Sequence, residues 1–419
     1  MLRTAVALCL FILAASCVAP TDAAEWYRFR GPSGDGHVDA VGLPLQWSST
    51  QNVTWKQAIP GQGWSSPVVS NGRIYLTAAV PLNESAKPDY SLRLLSFEAK
   101  TGKEIASVEI FQQDASSAPR IHQKNSHASP TPIIEGDRVY VHFGHQGTAC
   151  VTLDGKSVWK NRDLTYKPVH GNGGSPVIVD DALIFSCDGA TDPFVVALNK
   201  NNGEIIWKTP RITNAERNFS FATPLPIEVN GRIQVVSPGS GAVCSFDVVT
   251  GEELWRVDYG QGYSVIPKPV YAHGLVFVCS GWSTPVLYAI RPDGSRDVTK
   301  THVAWKTNKR VPNTPSLLIV EDELYMVADN GVASCLDART GKLHWKERIG
   351  GNYSASPIFA KGKIYLQSEQ GDTTVLEAGV SFKKVARSTL GERTLASVGV
   401  VDRAFLIRSD RHLYRIEGR

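Results

Sequence analysis

The residues able to do chemistry fall into three groups. The first is a histidine cluster, His122, His127, His142 and His145, followed at a distance by His170. Three imidazoles can hold Zn²⁺ or Cu²⁺. No carboxylate stands beside these at a ligand spacing, so they read as loop histidines and no metal is expected. The second group is cysteine. Cys150, Cys187, Cys244, Cys279 and Cys335 lie beyond the N-terminal apolar segment, and none forms C-x-x-C. Zinc ribbons, thioredoxin motifs and haem attachment are therefore excluded. The third group is cationic and aromatic and recurs along the chain: Trp64, His127, His170, Arg217, Asn218, Tyr263, Arg310, Tyr353 and Arg393. Arg and His donate to anionic groups, and Trp and Tyr supply flat stacking faces. No nucleophile elbow, phosphate loop or H-E-x-x-H occurs, so no catalytic residue is assigned.

A repeat must position this third group. Trp followed by a basic residue occurs at Trp55, Trp159, Trp207, Trp255, Trp305 and Trp345. A Gly lies four residues before four of them: Gly155, Gly203, Gly251 and Gly341. The preceding Asp-x-x-Thr-Gly is clearest at Asp247–Gly251 and Asp337–Gly341. It is a tight turn, since Asp bonds its own downstream backbone and Gly supplies positive φ. A second marker is a small residue next to Pro before a short apolar strand. It recurs at Pro67, Pro132, Pro176, Pro224, Pro269, Pro315 and Pro357, 65, 44, 48, 45, 46 and 42 residues apart. The cysteine spacings of 94, 91 and 92 residues are about twice this period. They place Cys on equivalent strands of alternate repeats, too far apart for a disulfide, which needs Cα atoms within about 7 Å. Five buried free thiols are expected.

Each repeat reads as four short strands with Gly-rich turns, which is a propeller blade. Seven Pro markers predict seven blades, and residues 395–416 begin an eighth that lacks an outer strand. Residues 53–59 supply that strand from the other end. The expected fold is therefore all-β: a single eight-bladed propeller of four-stranded antiparallel blades over 53–419, its ring closed by the N-terminal strand. Closure removes the edge that would otherwise template aggregation. The blade pattern is imperfect at Ala106 and around Leu376–Leu390, where the Trp is missing.

Residues 1–24 have a positive start, an apolar core from Ala5 to Ala15 and a small-residue exit, the pattern of a secretory signal peptide. Cleavage near Ala23 or Ala24 would release a soluble chain. Leu13–Cys17 also resembles a lipoprotein signal, with Cys17 as the lipidated residue. Either route predicts a periplasmic or extracellular protein. Residues 25–52 form a leader. The chain has 42% hydrophobic and 20% charged residues, which excludes a disordered protein, and its net charge of +4 comes without a basic block. No nucleic-acid partner and no transmembrane span are expected.

These motifs resemble the pyrroloquinoline-quinone-like β-propeller repeat family over residues 53–419. Trp26-Tyr27-Arg28-Phe29-Arg30-Gly31-Pro32 resembles a leader found ahead of such propellers in secreted bacterial proteins. The resemblance implies two branches: quinoprotein dehydrogenases, and non-catalytic outer-membrane assembly lipoproteins of the BamB type. The first branch uses a vicinal cysteine pair, a Ca²⁺ site and an Asp base. This chain has no adjacent cysteines and no recognisable Ca²⁺ ligands, so no cofactor is predicted, and pyrroloquinoline quinone with calcium is the alternative. The expected function is a monomeric, extracytoplasmic binding or scaffold propeller. Its partner would be a protein, peptide or glycan of the cell envelope. The inter-blade loops that carry the third group of residues would form the binding rim.

Overall fold

The computed structural model describes residues 25–282 and 284–418. The expected signal peptide, with Cys17, lies outside them. Eight four-stranded units follow one another around a ring, each running from an inner strand to an outer one. Blade one is Val68–Ser70, Arg73–Pro81, Tyr90–Glu98 and Glu104–Gln113. Blade eight takes its three inner strands from Gly399–Val401, Ala404–Arg408 and His412–Glu417. Its outer strand is Val53–Ala58, antiparallel to His412–Glu417. The ring therefore closes between the two ends of the chain, as the split repeat requires.

The Trp and Gly markers act between blades. The indole of Trp207 in blade three packs on Gly251 in the turn of blade four, and its Nε1 donates to Val248 O at 3.0 Å. Trp159 meets Gly203 and donates to Lys200 O, Trp305 meets Gly341 and donates to Ala338 O, and Trp55 meets Gly102 and donates to Ala99 O. Each Gly has positive φ and no Cβ, so the turn can curl and still admit the ring. In blade one, where Ala106 breaks the Trp pattern, Val108 covers Gly155 instead.

The five described cysteines are buried and free. Cys187 and Cys279 sit on second strands, and Cys150, Cys244 and Cys335 on third strands. They act as small hydrophobes within the apolar layers between blades.

The leader is built into the ring. Trp26 pairs with Val69 of blade one, and Tyr27 O accepts from Ile134 N of blade two. Gly34 O accepts from Lys268 Nζ at 2.7 Å, and His37–Val38 adds a parallel strand to Ile358–Ala360 of blade seven. The segment thus crosses one end of the channel, on the face of the first hairpin turns, with Trp26 only 2% exposed. Farther on, Trp47 is buried against Phe405 of blade eight.

Candidate functional site

The central channel forms a cup, crossed at one end by the leader. Its volume is about 360 Å³, and Phe29 of the leader lines it from the plugged end. Its waist is a necklace of hydroxyl residues at the start of the inner strands. The backbone N–H of one blade donates to the hydroxyl of the next: Ser66 to Thr131, Thr131 to Ser175, and Ser175 to Thr223, at 3.0, 2.9 and 3.0 Å. The other half runs Lys268 to Ser316, Ser316 to Ser356, and Ser356 to Ser397, at 3.0, 3.2 and 2.9 Å. These hydroxyls accept from the backbone, so their own protons stay available to the channel.

The small-residue marker beside Pro was the sequence trace of this necklace. In blade six the marker points to the wrong residue. Ser316 holds the necklace position, whereas Thr314, next to Pro315, donates to Asp329 Oδ1 at 2.6 Å. In blade five the position is Lys268, whose ammonium turns away to the leader. Burial, with Arg30 and Arg28 adding repulsion, pushes that ammonium down to about 7.

Around the mouth runs an arc of rings. His122 lies 5.5 Å from His170, His170 lies 5.3 Å from Phe219, and Phe219 lies 5.5 Å from Tyr263. The Arg217 guanidinium sits 4.7 Å above the Tyr263 ring and donates to its hydroxyl at 2.8 Å. Tyr263 and Trp282 are bridged through their backbones. Burial lowers the His170 imidazole, and His122, Arg120 and Arg217 lower it further, while Arg217 brings a cation to the arc.

A longer connection, residues 114–132, spans part of the mouth. Its Lys124 pairs with Glu369 of blade seven at 2.7 Å. Its Gln123 O accepts from Arg393 of blade eight at 2.7 Å, and Arg393 lies 5.6 Å over Trp64.

The structure thus gathers Trp64, His170, Arg217 and Tyr263 on the cup, with Arg393 stacked on Trp64. The other candidates lie elsewhere. Tyr353 is 1% exposed and packs in the core between blades six and seven, because its ring fills apolar space that the sequence pattern does not mark. His127 stacks on Tyr90 at 4.6 Å, where burial, with His145, pushes it down to about 4. Asn218 lies beside the mouth without lining it, and Arg310 lines a different cleft. The histidine cluster does not converge on one point. His145 faces Tyr166, His142 is buried against Phe185, and only His122 and His170 meet. Phe219 and Trp282, in rim loops of the repeat, also line the cup, and so does Phe29, which no sequence pattern marks.

No Asp or Glu is among the described residues lining the cup. Ca²⁺ takes six to eight oxygen ligands, carboxylates among them. Hydroxyls, imidazoles and cations do not make that set, so these residues do not fit a quinone–calcium pair. They suit a ligand with negative charge and a flat or apolar surface.

A family model described as outer membrane protein assembly factor BamB matches residues 38–191, 191–315 and 302–380. The chain belongs to this family. It is 22% identical over 364 residues to the BamB of Yersinia pestis, covering 85% of this chain and 78% of that protein. It is also 27% identical over 165 residues to methanol dehydrogenase [cytochrome c] subunit 1 of Methylobacterium organophilum, but that match spans only 24% of the dehydrogenase and 33% of this chain. Among solved structures, quinohemoprotein alcohol dehydrogenase from Comamonas testosteroni matches with a TM-score of 0.67 at 10% identity, covering 94% of this chain and 81% of that one. BamB from Moraxella catarrhalis matches with a TM-score of 0.56 at 12% identity, covering 87% and 99%. At such identities the structural likeness shows the fold.

Proposed function

We propose that the chain is a non-catalytic binding or scaffold propeller of the cell envelope that engages its partner through the mouth of the ring. The observation that carries this reading is the cup itself: an aromatic arc, cations at the rim and no carboxylate among the described lining residues. A protein or peptide with an acidic segment, or an acidic glycan, complements that surface. The BamB relationship along most of the chain supports a protein partner. The N-terminal sequence supports export, with release near Ala23 or Ala24, or with lipid attachment at Cys17. No helix among the described residues is long and apolar enough to cross a membrane. A monomer suffices, since the ring closes on itself.

The test is capture from the native envelope by wild type and by a Trp64→Ala, Arg217→Ala double variant. Capture should fall at least tenfold while the melting temperature stays within a few degrees, since Arg217 is exposed and Trp64 half-buried at the mouth. Undiminished capture would move the interface off the mouth.

The second reading is a quinone-dependent oxidoreductase, favoured by the methanol dehydrogenase match and opposed by the lining of the cup. Mixing purified protein with pyrroloquinoline quinone and Ca²⁺ separates the two readings. A bound-quinone spectrum with dye-linked alcohol or sugar oxidation would establish the second.

A further inference from the structure

Arg310 stands over a separate cleft of about 460 Å³ at the seam between blades five and six. Lys309, Arg310 and Lys346 line it. The one carboxylate among the described lining residues, Asp329, is already engaged. Its Oδ1 accepts from Thr314 Oγ1 at 2.6 Å and its Oδ2 from Asn313 N at 2.7 Å. Asp329 keeps its charge while it accepts these bonds, so three cations face one carboxylate and the cleft is net cationic.

Two polar atoms in the same lining have no hydrogen-bond partner: Asn313 Oδ1 and the hydroxyl of Ser334, a residue only 1% exposed. Buried polar atoms are rarely left unpaired, since each then loses water without compensation. The amide oxygen can only accept, so it calls for a donor such as a hydroxyl, and the serine can give or take a hydrogen bond. No aromatic side chain is among the described lining residues, so a flat ring finds no stacking face. The complement to this lining is a ligand with an anionic group and several hydroxyls.

We propose that this cleft is a second binding site, for a sugar unit carrying a carboxylate or sulfate. The three cations take the anionic group, and Asn313 and Ser334 exchange hydrogen bonds with the sugar hydroxyls. Charge-assisted contacts give the anion its hold, and the buried pair selects a sugar over a bare ion. The site does not depend on the mouth being the partner's seat.

The experiment is calorimetric titration of the mature protein with a sulfated disaccharide, a uronate-containing disaccharide, a neutral disaccharide and sodium sulfate. An acidic disaccharide should bind at least tenfold more tightly than both the neutral sugar and sulfate. Arg310→Ala with Lys346→Ala should weaken it at least tenfold. Ser334→Ala should weaken the sugar severalfold with no loss of melting temperature. The Trp64→Ala, Arg217→Ala mouth variant should titrate like wild type, which separates this site from the proposed function. If the Arg310 and Lys346 variant fails to fold, Lys309→Ala with Lys346→Ala replaces it with the same expected loss. Equal binding of sulfate, meaning an adventitious ion only, would overturn the proposal. So would the absence of binding by either acidic disaccharide, or binding that survives the loss of the cations.

Discussion

His142 lies fully buried in blade two with its Nδ1 2.8 Å from Thr148 Oγ1, and burial, with His145 adding to it, pushes its imidazole from 6.5 down to about 3. The unfolded chain takes up a proton below pH 6.5 that the folded chain refuses. Stability is therefore full above 6.5 and falls as pH drops toward the folded value. At 1.36 kcal/mol per pH unit, His142 alone should cost about 2 kcal/mol between pH 7 and pH 5. Glu392 acts lower. Burial raises its carboxyl, but hydrogen bonds from Ser409, Lys56 and His412 outweigh this and hold it at about 2, so its contribution is lost below pH 4.5. Urea midpoints at pH 7 and pH 5 should show a smaller drop in His142→Gln than in wild type. Equal drops would mean that the buried imidazole is not the sensor. A glycine pair tests the blade contact at the same scale. A Cβ on Gly251 would lie 2.5 Å from the Trp207 ring, whereas one on Gly231 meets nothing, and both have similar φ, +74° and +76°. Gly231→Ala should cost about 1 kcal/mol from backbone strain alone, and Gly251→Ala about 1–3 kcal/mol more from overpacking. Chemical denaturation reads the difference.

At the level of elements, the first strand carries the closure. Val53–Ala58 completes blade eight, Trp55 docks on blade one, and Lys56 pairs with Glu392 at 2.9 Å. The seam has a second fastener. Arg408, fully buried and pushed down to about 9 by that burial, donates to Ser65 O, Ser65 Oγ and Thr77 O of blade one. Deleting residues 25–60 removes the outer strand and the plug together, leaving an open edge and an open channel. The variant should melt at least several degrees lower and self-associate on size-exclusion chromatography with light scattering. A monomer with an unchanged melting temperature would show that the ring holds without its strand. The period, the turns, the Trp–Gly motif and the split repeat were legible because a blade cannot bury its face without neighbours, and so repeats the same devices. The plug was not legible. Its contacts run to blades one, two, five and seven, and no local pattern in residues 25–38 records them.

For the whole molecule, eight copies of one supersecondary unit make a rigid rim, and function is carried by the loops and substitutions that break the symmetry. Lys268 in the hydroxyl necklace and the 114–132 connection are two such breaks. All-β class, blade number, ring closure and the free cysteines followed from sequence alone, because they rest on periodic burial and turn chemistry that each repeat encodes locally. Which candidate residues share a site did not. Trp64, His170, Arg217 and Tyr263 meet across the cup from four blades, yet Tyr353 from the same kind of loop is core and Arg310 faces another cleft. Their positions in the repeat are similar. What separates them is the direction each side chain takes once neighbouring blades pack and the leader closes the channel, and only the tertiary structure decides that.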